Sequence, residues 1–133
     1  WDSNVITAAA QGKDVDINVT TFYQEGGNPT FDEGVKAWIN SDATALANNN
    51  GNDMIAAVTA MGYDAYYVAL EALKAAGSTD PAAVLAALPG VEYDGVSGHI
   101  AFDEVGDAIR DVAYVKHCDT ATGAWEFVTQ QGV

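Results

Sequence analysis

The residue types able to do covalent or metal chemistry are few in this chain: two histidines, His99 and His117, and one cysteine, Cys118. His117 and Cys118 are adjacent, which sets a thiol beside an imidazole in sequence. Neighbours on a strand point to opposite faces, so the two would not meet, and no thiolate nucleophile is expected. Two histidines and one cysteine also fall short of a three-ligand catalytic zinc site unless carboxylates complete it. Asp103 and Asp107 flank the turn glycine Gly106, but the alternating oxygen donors and closing glutamate of a calcium loop are missing. A plain hairpin turn is expected there. The sequence holds no Gly-x-Ser-x-Gly, His-Glu-x-x-His, phosphate-binding glycine loop or Cys-x-x-Cys. Asn18-Val19-Thr20 has the spacing of a glycosylation sequon, a weak signal inside a predicted strand. The residues therefore read as a protein that is not an enzyme and carries no cofactor or metal.

The elements that would position these side chains alternate between helix and strand. Ser3 caps a short Ala-rich helix that stops at Gly12. Val15, Ile17, Val19 and Thr21 alternate with polar neighbours, which predicts a strand over Val15 to Tyr23. Gln24 to Pro29 reads as a loop. Thr30 and Glu33 have capping-box spacing, and Phe31, Val35, Trp38 and Ile39 form one apolar stripe of the following helix. After the polar loop Asn48 to Asn52, Asp53 is the expected cap of a long helix, Met54 to Ala76, ended by Gly77. That helix is apolar or small on nearly every side (Met54, Ile55, Val58, Met61, Ala65, Val68, Ala69, Leu73), so it demands cover from several directions. Asp80 and Pro81 open another helix as N-cap and first residue. Beyond Gly90, short strands are predicted at Val91 to Tyr93, His99 to Phe102, Ile109 to Lys116 and Trp125 to Thr129, paired through tight turns. One early strand and these short late ones are too little sheet for so apolar a helix. The class is α/β, with an incomplete look.

With 133 residues, the chain has the size of one domain. Five basic against nineteen acidic residues give a formal charge of −14. So acidic a surface repels phosphate backbones and anionic lipids, which excludes nucleic-acid binding. A lone cysteine permits no internal disulfide. No run approaches the roughly 20 apolar residues of a membrane span, and an export signal would have to lie upstream of Trp1.

Five segments then occur in a telling order: Gly62-Tyr63-Asp64-Ala65, the helix end Glu71-Ala72-Leu73-Lys74-Ala75-Ala76-Gly77, Ser78-Thr79-Asp80-Pro81, Tyr93-Asp94-Gly95-Val96-Ser97-Gly98, and Ile100 to Ala108 (IAFDEVGDA). No single tetrapeptide is specific, but the ordered series resembles type I periplasmic binding proteins of the branched-chain amino-acid branch. The likeness is strong over Gly62 to Val115 and looser over Trp1 to Trp38. It implies the C-terminal portion of a two-lobed fold with three-layer α/β/α lobes, incomplete in this chain. Residues 1–23 would end the second lobe up to the crossover, 24–110 would belong to the first lobe, and 111–133 would return toward the second lobe and hinge.

What the resemblance implies for function is a clamp that captures a small aliphatic amino acid and delivers it to the membrane permease of an ABC importer, outside the bacterial cytoplasm. In relatives an acidic residue just before the present start meets the ligand's amino group. Trp1, Asp2 and Ser3 would then sit at a helix N-terminus beside the cleft, where Ser3 could receive the ligand carboxylate. Tyr23 falls at the crossover. Relatives place a cleft aromatic five residues before the Gly-Tyr-Asp-Ala tyrosine, and here that position is Val58, a departure. Tyr63, Tyr66 and Tyr67 are expected to pack rather than touch ligand. Two other readings stay open: a sensor domain with the same clamp, and an interaction module that assembles into homo-oligomers through exposed sheet edges.

Overall fold

The computed structural model describes residues 2–132. Its elements in chain order are α1 (Asn4–Ala10), β1 (Asn18–Thr21), α2 (Pro29–Ser41), α3 (Ala43–Asn48), α4 (Ala57–Ala76), α5 (Pro81–Ala87), β2 (Tyr93–Gly95), β3 (Gly98–Phe102), β4 (Ala108–Ile109), β5 (Val112–Asp119) and β6 (Ala124–Gly132). They form two three-stranded antiparallel sheets, ordered β1-β5-β6 and β2-β3-β4. Every extensive contact between elements stays within one of two groups. One comprises α1, β1, β5 and β6; the other comprises α2 to α5 with β2 to β4.

Local chemistry accounts for most boundaries. Ser3 Oγ accepts from the Val5 N–H at 3.2 Å and starts α1. Asp80 Oδ1 accepts from Ala82 and Ala83 N–H, with Pro81 at the first helical position of α5. Gly77 takes the left-handed conformation (φ +58°) that closes α4. Three sequence expectations are displaced. The cap of α2 is Asn28, whose side chain accepts from Phe31 N–H, with Pro29 at the first position, so Thr30 and Glu33 form no capping box. Strand β1 is confined to Asn18–Thr21; just before it the Ile17 carbonyl accepts from the Cys118 N–H at 2.9 Å, while residues 15 and 16 lie outside the strand. Asp53 does not cap the long helix. It accepts from Asn40 Nδ2 at 2.9 Å, and α4 begins four residues later.

The larger group holds two apolar clusters. Tyr23, Phe31, Ile55, Ala57 and Ala60 form the first, and Val68, Ala72, Val91 and Ile100 the second. Between them lies a buried carboxylate. Asp64, fully buried on α4, accepts from the N–H groups of Val96 and Ser97, both at 2.8 Å, and from Ser97 Oγ at 2.5 Å. The Val96–Ser97 turn joins β2 to β3, so Asp64 fastens that hairpin to the helix. A Cβ on Gly95 would collide with the same carboxyl group, which is why glycine stands there. Asp64 and the Tyr-Asp-Gly-Val-Ser-Gly turn thus form one structural unit.

Helix α4 is covered on one face only. Ala57, Ala60, Asp64, Val68 and Ala72 are buried, while Val58, Ala65, Tyr66 and Ala69 are exposed. The exposed side borders a shallow apolar groove of 360 Å³ lined by Met61, Ala65, Ala69, Ile100 and Phe102 among others. No element among the described residues covers it.

Candidate ligand-binding site

The candidate site lies where the two groups of elements meet. The chain leaves β1 after Thr21 and returns into β5 at Val112. Because Thr21 pairs with Tyr114 in an antiparallel ladder, the two crossing segments run side by side. Arg110 braces them. Its guanidinium lies 5.4 Å from the centroid of the Phe22 ring and donates to Ser97 Oγ at 2.8 Å. A cleft of 580 Å³ opens at the junction. Gln24, Glu25, Lys36 and Ile55 form one wall, and Lys116 and Trp125 the other. Lys36 pairs with Glu25, and that bond holds the ammonium above its ordinary pKa.

At the base of the junction, Asp2 is 3% exposed. Its Oδ2 accepts from Lys116 Nζ at 2.9 Å, Thr21 Oγ1 at 3.3 Å and the Ala57 N–H at 3.0 Å. Its Oδ1 also lies 3.3 Å from the Ala57 nitrogen. A buried ion pair is tolerated when hydrogen bonds satisfy its remaining capacity, and here strand β5, strand β1 and the first turn of α4 all contribute. Ala57 is the first residue of α4, and the cap position, Ala56, has no side-chain cap. Asp2 therefore caps α4 from 55 residues away in sequence.

The structure brings two of the sequence-derived candidates, Asp2 and Val58, together at this helix end, and neither of them lines the 580 Å³ cleft. Asp2 holds Ala57, Val58 follows in the same turn with 66% of its surface exposed, and Ser3 lies beside Asp2. Asp2 is fully engaged by protein donors. The Ser3 hydroxyl caps its own helix, while its carbonyl accepts from Trp125 Nε1 at 3.3 Å. Tyr23 stands apart. It is buried, and its hydroxyl donates to Asp32 Oδ1 at 2.6 Å. Burial, then the bond to Asp32, raise its pKa above the ordinary phenol value. Trp1 lies outside the described residues. Tyr63 packs against Phe31, and Tyr67 stacks on Tyr93 at 5.9 Å, whereas Tyr66 is exposed.

Sequence reasoning passed over Lys116, Trp125 and Glu25. Lys116 carried a readable signal: it shares a strand face with buried Cys118, an inward position that a lysine occupies only with a partner. Among the described residues no cluster of metal-ligating side chains occurs, and no helix is long and apolar enough to cross a membrane.

With this geometry in place, comparison with known proteins assigns the class. The periplasmic binding protein family model matches residues 1–122, and the chain belongs to that family. It is similar to the crystal structure of a leucine binding protein, LivK, from Thermotoga maritima, with 27% sequence identity and a TM-score of 0.68. The match covers 98% of this chain and 35% of that one, so the chain spans about a third of the length of its solved relative. No curated protein gives a significant match to the sequence. The incomplete α/β architecture is thus a portion of a periplasmic binding-protein fold.

Proposed function

We propose that this chain is the C-terminal part of an extracytoplasmic solute-binding protein that captures a small aliphatic amino acid for an ABC importer. The carrying observation is the fit of 98% of the chain to a leucine binding protein. The junction supports the reading in detail. Two bodies, residues 2–23 with 111–132 and residues 24–110, share no extensive packing of helix or strand; they are joined by two adjacent crossings, and Tyr23 at the end of the first crossing sets its ring in the core of the second body. That arrangement supports hinge closure, in which a ligand touching both bodies favours the closed state over the open one. The proposed ligand contact is the exposed Val58 on the first turn of α4, beside the Asp2–Ser3 segment, and it is separate from the 580 Å³ cleft lined by Gln24, Glu25, Lys36, Lys116 and Trp125. The uncovered face of α4 is then the surface on which the remaining strands of its lobe pack, which also explains why the helix is apolar beyond its buried side.

The test is a thermal-shift panel of the protein amino acids on the natural polypeptide that contains these residues. Leucine, isoleucine or valine should raise the melting temperature in proportion to the logarithm of concentration. A shift with charged amino acids and none with aliphatic ones would overturn the ligand class. Edge pairing into homo-oligomers is a second reading, favoured by β6, an edge strand with Phe127 and Val128 about half exposed. Light scattering at several concentrations separates it, since a concentration-independent monomer rules it out.

A further inference from the structure

The bond between Asp2 and the first turn of α4 has an unusual feature: it joins the two bodies. Asp2, Thr21 and Lys116 all belong to the body built from α1, β1, β5 and β6, whereas Ala57 belongs to the other. Helix caps are ordinarily local, supplied by the residue just before the first turn. Here that residue is alanine in an extended conformation (φ −78°, ψ 154°), with no side chain to offer. The helix's need for an acceptor is met only while the bodies stand together. Separation leaves Asp2 with Lys116 and Thr21, but it strips the Ala57 N–H of its one acceptor. A second polar contact spans the same side of the junction. Asn4 Nδ2 donates to Asn49 O at 3.1 Å, and Asn50 Nδ2 donates to Asn4 Oδ1 at 2.6 Å. Beyond these, the braced crossings and the Tyr23 ring at the end of one crossing, which is buried in the second body, no extensive packing of helix or strand holds the bodies in register.

We infer that Asp2 is an interlobe clasp: a carboxylate held by Lys116 and Thr21 on one body that grips the N-terminus of α4 on the other and favours the apposed arrangement. The inference rests on the two-body reading above but requires no ligand. A hydrogen bond to a charged group shifts such an equilibrium by roughly tenfold to a hundredfold, and the helix dipole adds in the same direction. Asp2 is accordingly a positioning residue. It sets how much of the population has α4's first turn, with Val58, docked at the junction before any ligand arrives.

Two variants separate a clasp from a mere helix cap. In Ala57→Pro the donor disappears while the Asp2–Lys116 pair remains. Proline suits a first helical position, and extended Ala56 suits a residue preceding proline. In the triple variant Asp2→Ala, Lys116→Met, Ala56→Asp the bond between bodies is gone, no buried charge is orphaned, and the helix receives a local cap. Spin labels at Ala82→Cys on α5 and Glu126→Cys on β6, both exposed sites, report the separation by double electron–electron resonance, while buried Cys118 stays unlabelled. The natural polypeptide without ligand should show one dominant distance. Both variants should gain a longer distance whose ratio to the first rises at least about tenfold. Unchanged distances in a folded variant overturn the clasp and leave Asp2 as a cap alone. A check without variants is native-state hydrogen exchange. The Ala57 amide should open with a weaker urea dependence than Val68 in the middle of α4, and equal dependence overturns the inference. Each result bears on the clasp whether or not an amino acid binds, so it fails or stands separately from the ligand assignment.

Discussion

Replacing Asp64 with alanine should cost far more than its conservative size change implies. The carboxylate is fully buried and accepts three hydrogen bonds, two from backbone N–H groups that have no other acceptor in the turn. Its removal orphans the Val96 and Ser97 amides, and each unsatisfied buried donor costs about 1–3 kcal/mol. Arg110, which donates to Ser97 Oγ, loses an oriented partner as well. The sum is about 3–5 kcal/mol, within the range of broken buried networks and a large share of the roughly 5–15 kcal/mol total of a domain. For a chain of this size that is a drop of about 10–20 °C in melting temperature. Circular dichroism melts of parent and Asp64→Ala, with urea titrations at low temperature, give the value. A loss under about 1 kcal/mol would refute the reasoning, because it would mean that the turn finds other acceptors or is not anchored to α4.

The remaining expectations are more compact. Gly95→Ala places a methyl group against the Asp64 carboxyl and should destabilise by at least about 2 kcal/mol in a urea titration, whereas Gly34→Ala, in open space on α2, should not. Tyr23→Phe removes the O–H bond to Asp32 and should cost about 1–2 kcal/mol by the same assay. In the parent, the raised Tyr23 pKa means that its contribution is complete below the ordinary phenol value near 10 and is lost as pH rises through the folded value. Tyr63 and Tyr93 are also raised above the ordinary phenol value, so an ultraviolet titration should find several tyrosines ionising late, and Tyr23→Phe should remove the latest step. His99 is hydrogen-bonded to Asp94, which raises its pKa. Its proton NMR titration should have a midpoint above the ordinary imidazole value, and Asp94→Asn should lower that midpoint.

Much of the local structure was legible because its signals are short-range. The Asp80-Pro81 start of α5, the Gly77 stop of α4 and the hairpin turn at Asp103 to Asp107 follow from residues within a few positions of one another. In that turn, Asp103 Oδ1 accepts from Val105 and Asp107 N–H. The displaced cap of α2 shows the weakness of a spacing rule. Thr30 and Glu33 have the right interval, but Asn28 followed by Pro29 offers a better acceptor and a fixed φ two residues earlier. The start of α4 was illegible for a deeper reason. Asp53 had the right chemistry next to an apolar run, yet the acceptor that defines the first turn comes from Asp2, and sequence spacing carries no trace of a partner that distant. For the site, Asp2, Ser3 and Val58 were indicated by resemblance; Asp2 bonds the turn that carries Val58, Ser3 is only its chain neighbour, and none of the three lines the 580 Å³ cleft. Tyr23 was placed at the crossover, and its hydroxyl is committed to Asp32 in the core. Lys116 belongs to β5, whose pairing with β1 spans nearly a hundred residues, and Trp125 to β6 on the other side of β5, so their place in the junction depended on the fold.

The most direct test is isothermal titration calorimetry of L-leucine into the natural polypeptide that contains these residues, with L-glutamate and D-leucine as comparisons. Saturable binding of one L-leucine per chain, absent with L-glutamate and weakened for the D-isomer, is the predicted result. No heat from leucine, isoleucine or valine at any concentration, from protein that melts cooperatively, would contradict the assignment of this chain to capture of an aliphatic amino acid.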